Sequence, residues 1–306
     1  MDLNNINTLK TIIAPHILDV GAVPLIKEAL IYQLFADRLN FFCIGSAGSG
    51  AKSSYRYSIM KLIPDNFDFV TPTGLTNVGL REVAMSFPDW GILSVDEMDK
   101  LAGDDIKCLL DIMQFQTVKI TKHDHNEEYR APISIFAIAN PKGNNNEWRN
   151  WGNPQSMKEQ MPFGASMLRR FHFTLFTRSY TEDEFDKINR FIANNKINDV
   201  NYSDGFKEQM TEYIVNARSI EIDLNRQKVP ERIFQFLKNV KRIEHHLISP
   251  ITPELCRGVV QIALSKARIR LSNEIEDEDW SSTMEFLLKC LHTAGLHPRL
   301  LNSLKK

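Results

Sequence analysis

The sequence predicts an α/β protein in which an open, mostly parallel five-stranded sheet is followed by an all-helical lid. Three observations predict this fold class. Short apolar runs typical of buried parallel strands alternate with segments of helical periodicity, and a glycine-rich turn follows the first run. From about residue 181 the strand patterns cease and amphipathic helices continue. We therefore predict an α/β domain over residues 1–178 and a helical lid domain over residues 179–306.

The elements follow in order along the chain. Apolar residues at helical spacing predict two N-terminal helices over 9–18 and 22–36, with Pro24 at a helix start. A further helix is predicted over 104–114, and the last one over 277–296. The predicted strands are 41–44, 66–70, 92–95, 133–139 and 171–176.

The composition and charge are those of an ordinary globular protein. Of 306 residues, 43% are apolar and 25% are charged, and a net charge of −1 excludes a global positive field that attracts nucleic acid. No signal pattern and no long apolar run occurs, so we expect a cytoplasmic protein without membrane contact. The cysteines stand singly without zinc-binding spacing, which predicts reduced core thiols and no zinc; they are Cys43, Cys108, Cys256 and Cys290.

The glycine-rich turn over residues 45–54 reads GSAGSGAKSS and predicts a phosphate-binding loop. Small residues let successive backbone N–H groups curve around an anion, and a Lys-Ser pair suits nucleotide phosphates and Mg²⁺. A flexible Gly/Ser linker is the alternative, which the strand before the turn and the helix after it disfavour. The candidate binding residues are Gly45, Ser46, Ala47, Gly48, Ser49, Gly50, Ala51, Lys52, Ser53 and Ser54.

This loop is irregular at two positions. Ala51 stands where a glycine usually precedes the lysine, and counting back from Lys52 puts Ser46 rather than Gly45 at the first glycine. If that position needs a positive φ, the Cβ atom of Ser46 crowds the backbone and weakens phosphate binding. We expect binding to survive, because other glycines remain available for the turn.

A second motif is the apolar strand GILSV, which ends in Asp96 and Glu97. In a nucleotide enzyme one such carboxylate joins the Mg²⁺ shell, and the other polarises the attacking water. Many strands end in an exposed acid, so the motif alone is weak evidence. Together with a phosphate loop upstream it predicts nucleotide hydrolysis.

These motifs resemble one protein family. The segment DEMDKL at 96–101 resembles the DEFDKM of the minichromosome maintenance (MCM) branch of AAA+ ATPases, and AKS at 51–53 matches the end of that branch's GDPGxAKS loop. The alanine before the lysine is thus a trait of the family. Further resemblances occur in the same order at IAPHI (13–17), LIYQLF (30–35), YRY (55–57), GLT (74–76), FQTVKITK (115–122), AIANP (137–141), MLRRF (167–171), SPITPEL (249–255) and ARIRLS (267–272).

The resemblance implies an AAA+ P-loop NTPase with ATP and Mg²⁺ as cofactors. Lys52 would contact the β- and γ-phosphates. Ser53 and Asp96 would hold Mg²⁺, and Glu97 would orient the attacking water. FQTVKITK resembles the segment that enters a β-hairpin.

Two further roles are implied by the resemblance. Asn140 would sense the γ-phosphate, and Arg170 would be an arginine finger that reaches the nucleotide of a neighbouring subunit. By themselves these residues are also compatible with a turn residue before Pro141 and with a surface cation. A finger supplied in trans implies a homo-oligomer, and the family forms rings, usually hexameric, that translocate on DNA and unwind it.

The lid departs from the family at one residue. Glu254 stands where the family has its sensor-2 arginine, and a carboxylate repels a triphosphate. Arg257 lies about one helical turn further along and is a possible substitute. It is equally compatible with a solvated helix residue.

The hairpin is the element with which the family grips DNA, and here its tip at 122–128 is acidic. Lys119 and Lys122 remain as possible DNA contacts, while the acids oppose contact with phosphate and suit a protein partner. The pair His123 and His125 is interpreted as polar rather than as a metal site. We also expect a motor core with a trimmed second-helix insertion, and without the family's N-terminal DNA-binding domain and C-terminal winged helix.

The leading hypothesis is an ATP-hydrolysing, ring-forming motor related to MCM replicative helicases and acting on DNA. One alternative is an ATP-driven protein-remodelling or ATP-gated interaction module that uses the acidic hairpin. The other is a degenerate paralogue that binds nucleotide without hydrolysing it.

Overall fold

A computed structural model of the chain describes residues 3–71, 77–101, 103–122, 125–143, 146–194, 201–225 and 227–293. The GLT segment at 74–76, the hairpin residues His123 and Asp124, and the last three residues of the helix predicted over 277–296 lie outside this part. Among the helices so described, none has the length and apolar character needed to cross a membrane.

The architecture is a five-stranded sheet with helices on both faces and a separate two-stranded hairpin. The strands are β1 (Phe41–Gly45), β2 (Phe67–Val70), β3 (Gly91–Val95), β4 (Thr117–Lys122), β5 (His125–Arg130), β6 (Ile133–Ala139) and β7 (Phe173–Thr177). The sheet order is β2-β3-β6-β1-β7 and every pairing in it is parallel, while β4 and β5 pair antiparallel. The predicted α/β fold, its five strands and the hairpin are confirmed.

The central strands are apolar because both of their faces are covered. Every residue of β1, β3 and β6 is buried, as expected for parallel strands enclosed by helices. β2 at the sheet edge is buried only at its two ends. This pattern explains why the central strands are legible in the sequence as continuous apolar runs.

The helices are α1 (Ile6–Ile12), α2 (Val23–Phe35), α3 (Lys52–Leu62), α4 (Asn77–Ser86), α5 (Gly103–Phe115), α6 (Pro154–Glu159), α7 (Ala165–Leu168), α8 (Glu182–Asn194), α9 (Asp204–Ser219), α10 (Glu231–Arg242), α11 (Pro253–Ile269) and α12 (Asp277–Thr293). The helix predicted over 9–18 is wrong in both bounds. It begins earlier because the Asn5 side chain accepts a hydrogen bond from the Asn7 amide and caps it. It ends at Ile12 because Ala14 has a φ of 57° and Pro15 follows.

The hydrophobic core continues from the sheet into the helices that follow it. Helix α2 is buried over nearly its whole surface and contacts α1, α3, α9, α11 and α12. On the same core, Phe286 of α12 packs edge-on against Phe41 of β1 and Phe173 of β7. All sheet strands precede residue 178 and the described elements after it are helical, but the division into two domains remains a prediction.

Candidate functional site

The three predicted motifs lie at the carboxyl ends of three adjacent strands. The phosphate loop follows β1, Asp96 and Glu97 follow β3, and Asn140 follows β6. β6 lies between the other two, with Ile44 of β1 in register with Ala139 and Val95 of β3 in register with Ala137. Ligands of open α/β sheets bind at this edge.

The start of the loop is shaped by packing against β7. A Cβ atom on Gly45 would lie 1.7 Å from Oγ1 of Thr177, so only glycine fits there. Positive φ values fall on Gly48 (70°), Gly50 (69°) and Ala51 (48°). Ser46 does not have a positive φ, so the condition under which its Cβ atom would crowd the backbone is not met.

The amino group of Lys52 is turned towards the loop's own oxygens. It donates to the carbonyl and the hydroxyl of Ser49 at 2.8 and 3.0 Å, and more weakly to the Ser46 carbonyl at 3.4 Å. Burial lowers the pKa of Lys52, and the nearby Arg56 guanidinium lowers it further, against the opposing effects of Cys43 and Asp96. To contact a phosphate, this amino group must exchange the Ser49 oxygens for phosphate oxygens.

The carboxylate of Asp96 is engaged on both oxygens. Oδ2 pairs with Nη2 of Arg56 at 2.5 Å, and Oδ1 accepts a hydrogen bond from the Glu97 amide at 2.9 Å. Arg56 lies on α3 and is 4% exposed, and its Nη1 atom also donates to the Ser94 hydroxyl at 3.0 Å. A buried cation thus already neutralises the carboxylate that the family resemblance assigns to Mg²⁺.

Glu97 has a left-handed backbone, with a φ of 44°, and its side chain pairs with Lys100. This hydrogen bond and the negative charge of Glu97 raise the pKa of the Lys100 ammonium. Asp99 lies in the same turn, and its Oδ1 atom accepts a hydrogen bond from the backbone N–H of Asn140 at 3.1 Å. The acidic turn therefore holds the start of the loop that contains Asn140.

The segment after Asn140 also contacts the phosphate loop. The Ala47 amide donates to the carbonyl of Asn146 at 3.1 Å. The indole of Trp148 donates to the Thr177 carbonyl at 2.8 Å, beside the point where the Ser46 amide reaches the same oxygen. The loop is thus bounded by β7 on one side and by residues 146–148 on the other.

Tyr180 lies against the part of the loop that would bind phosphate. Its phenol oxygen interacts with the amides of Gly50 and Ala51, which lowers the pKa of the phenol, although burial raises that pKa by more. Backbone N–H groups in this position are the donors that a phosphate uses. A phosphate bound at this loop would compete with the phenol for these amides.

The residues assigned to Mg²⁺ are suitable in kind. Ser53 is exposed at the start of α3, and Asp96 lies at the end of β3. Hard oxygen donors of this type, with substrate phosphates, are how nucleotide enzymes hold Mg²⁺. The ion pair between Asp96 and Arg56 is the feature that competes with such an ion.

Arg170 lies near the amino ends of the sheet strands, whereas the phosphate loop lies at their carboxyl ends. It precedes β7, whose first residue Phe173 is in register with Phe41 at the start of β1. The strand between that level and the loop spans about 13 Å. Arg170 is exposed and donates to the Gln114 side chain, so its position suits contact with another molecule rather than with its own loop.

Arg257 and Glu254 also lie near the amino ends of the strands. They pair with each other on α11, and Glu254 is also 3.7 Å from the imidazole of His172, the residue before β7. Gly258 on the same helix packs against His172 and Phe173. The possible sensor-2 substitute Arg257 is therefore grouped with Arg170 and not with the chain's own phosphate loop.

The predicted DNA contacts lie on the hairpin strand β4. Lys119 is exposed and directly opposite the exposed Glu128 of β5 in the antiparallel register. Opposed side chains in such a pair are about 5 Å apart at Cβ, so the acid offsets the lysine's charge. The side chain of Lys122 lies outside the described residues, as do His123 and Asp124 of the tip.

Sequence reasoning missed four residues that contact the motifs. Arg56 was detectable in principle, because a residue four positions after Lys52 lies on the same face of α3. Thr177, Trp148 and Tyr180 had no local signal, since their contacts with the loop arise from strand order and chain folding.

Comparison with known proteins gives a consistent result. A family model described as the MCM P-loop domain matches residues 1–196. The chain is 25% identical to a DNA replication licensing factor MCM3 from Entamoeba histolytica, over 90% of this chain and 57% of that protein. It is 23% identical to a minichromosome maintenance protein MCM from Saccharolobus solfataricus, over 89% of this chain and 43% of that one. It is 22% identical to a DNA replication licensing factor MCM4 from Drosophila melanogaster, over 83% of this chain and 31% of that protein. The chain thus spans between 31% and 57% of these relatives' lengths.

Proposed function

The chain belongs to the MCM family, and we propose that it is an ATP-hydrolysing, ring-forming AAA+ motor that acts on DNA. One observation carries the proposal. The phosphate loop, the Asp96-Glu97 pair and Asn140 end three adjacent parallel strands, at the edge where such sheets bind ligands. Relatives named as DNA replication licensing factors support a role in replication.

Within this proposal each residue has a distinct task at ATP. Lys52 would exchange the Ser49 oxygens for those of the β- and γ-phosphates, and Ser53 and Asp96 would hold Mg²⁺. Bound Mg²⁺ would offset the negative charge of the phosphates. Glu97 releases Lys100 and orients the attacking water, while Asn140, held by Asp99, contacts the γ-phosphate.

We further propose a homo-oligomeric ring, hexameric as the family resemblance implies, in which Arg170 acts in trans. Its support is the position of Arg170 at the sheet edge opposite its own phosphate loop. Mixing tests this arrangement. Arg170→Ala and Lys52→Ala proteins, each inactive alone, should regain part of the turnover when combined, because mixed interfaces pair an intact loop with an intact finger. An absence of recovery at assembled concentrations would argue against a shared site.

The experiment that tests the whole proposal is steady-state ATP turnover with and without single-stranded DNA, at concentrations spanning assembly. We expect turnover that rises on assembly and on addition of DNA, and its loss in Lys52→Ala. Lys187→Ala is the matched control, since Lys187 is exposed on α8. Turnover that survives in Lys52→Ala would reject the site.

A second candidate is a family member that binds nucleotide and assembles without hydrolysing it. The observation that favours it is the engagement of both acids, Asp96 by Arg56 and Glu97 by Lys100. Nucleotide binding without turnover, at any concentration and with DNA present, would establish this candidate over the motor.

A protein-remodelling module using the hairpin remains the other alternative, supported by the exposed acids of β5. Its turnover should be indifferent to DNA. The cytoplasmic location stays a prediction. A role on DNA would instead place the protein in the compartment that holds the genome.

A further inference from the structure

The guanidinium of Arg56 is held in place by three contacts in different directions. Nη2 pairs with Asp96 at 2.5 Å, Nη1 donates to the Ser94 hydroxyl at 3.0 Å, and Nε approaches the Lys52 carbonyl at 3.4 Å. Ser94 is fully buried and itself donates to the Phe136 carbonyl, so this contact extends into the centre of the sheet. Arg56 is thus part of the packed interior rather than a surface cation that changes position freely.

A buried guanidinium requires an anionic partner, and here that partner is the half-buried carboxylate of Asp96. Removing one partner of such a pair leaves an uncompensated charge, so the two side chains depend on each other. The same carboxylate is the acid that follows β3 and is assigned to metal. A divalent cation at Asp96 would therefore lie within a few ångströms of a fixed positive charge, and like charges repel strongly in a partly buried site.

We infer that Arg56 supplies, from the protein itself, the positive charge that Asp96 would otherwise receive from a divalent cation, so that nucleotide binding by this chain depends little on divalent metal. The inference rests on the proposed nucleotide site. Arg56 is a positioning residue here: it holds Asp96 and adds positive charge one helical turn behind Lys52.

The test is the affinity of the full chain for a fluorescent, non-hydrolysable ATP analogue, measured in excess Mg²⁺ and in excess EDTA. For the wild-type protein we expect the two dissociation constants to differ by less than about threefold. In Arg56→Met, which keeps a long apolar stem without the charge, EDTA should weaken binding by about tenfold or more, because Asp96 then needs an external cation.

Lys61→Met is the matched control, because it removes one positive charge from the same helix at a half-buried residue that stacks over Tyr57 rather than contacting Asp96. It should keep the wild-type ratio. A second readout is Mn²⁺ bound to the nucleotide complex, followed by electron paramagnetic resonance. Arg56→Met should bind Mn²⁺ about tenfold more tightly than wild type.

The wild-type measurement decides the inference even if Arg56→Met fails to fold. A wild-type protein that loses the analogue tenfold or more on metal removal would overturn it. An equal ratio in wild type and a folded Arg56→Met would also overturn it. Failure to bind the analogue in either solution would instead reject the proposed nucleotide site, so the two failures are distinguishable.

Discussion

The clearest quantitative prediction concerns the buried imidazole of His172, at the sheet edge that also holds Arg170. His172 is 3% exposed, and its Nδ1 atom accepts a hydrogen bond from the Asn40 amide at 2.8 Å. Burial, together with the charges of Arg38 and Arg257, lowers the pKa of His172 from 6.5 to about 3. The Glu254 carboxylate lies 3.7 Å from Nε2 of His172.

The depressed pKa makes folding stability depend on pH. Above pH 6.5 the imidazole is neutral in both states, and the free energy of unfolding is unaffected. Below pH 6.5 the imidazole binds a proton in the unfolded chain, but in the folded protein it stays neutral down to about pH 3. The free energy of unfolding therefore falls as the pH falls. At pH 5 the loss attributable to His172 is about 2 kcal/mol.

The assay is urea unfolding of wild type and His172→Asn between pH 8 and pH 5. The asparagine oxygen can replace Nδ1 as acceptor for the Asn40 amide but does not titrate. We expect His172→Asn to be less stable by about 1–2 kcal/mol at pH 8 and the difference to vanish or reverse by pH 5. His245→Asn, which removes an exposed imidazole, is the control. Parallel pH profiles for wild type and His172→Asn would refute the reasoning.

Three further predictions concern the phosphate site. Gly45→Ala should lower the free energy of unfolding, measured by urea denaturation, by about 1–3 kcal/mol or more, because the new methyl group overlaps Thr177. The control Gly103→Ala should leave it nearly unchanged, because a Cβ atom there meets nothing within 4 Å. Tyr180→Phe should tighten nucleotide binding roughly fivefold in a fluorescence titration, because two loop amides are freed for phosphate; unchanged affinity would mean that the phenol does not compete. Glu97→Gln should bind ATP like wild type while turnover falls about a hundredfold or more, and undiminished turnover would remove Glu97 from the mechanism.

Several features of the site could be predicted from the sequence, because they depend on residues that are neighbours along the chain. A strand, a glycine-rich turn and a helix that begins with Lys52 and Ser53 define a phosphate loop wherever they are consecutive. An apolar run followed by Asp96 and Glu97 likewise predicts acids at the end of a strand. That these motifs meet follows from parallel pairing, since the carboxyl ends of parallel strands share one edge.

The contacts that these residues make could not be predicted from the sequence, because they join segments that are distant along the chain. Arg56 reaches Asp96 across forty residues of sequence, and only the packing of α3 beside β3 brings them together. Tyr180 reaches the loop amides because the chain turns back after β7. Neither contact has a periodicity or a motif.

By itself, the sequence determined the fold class, the five strands, the hairpin and the family, because local patterning and short motifs specify them. Tertiary structure decided the rest of the site. It put Arg170 and Arg257 at the edge away from their own phosphate loop, and it gave Asp96 a cationic partner from within the chain. Charge pairing and burial in a packed interior are properties of three-dimensional neighbours, and one-dimensional spacing does not encode them.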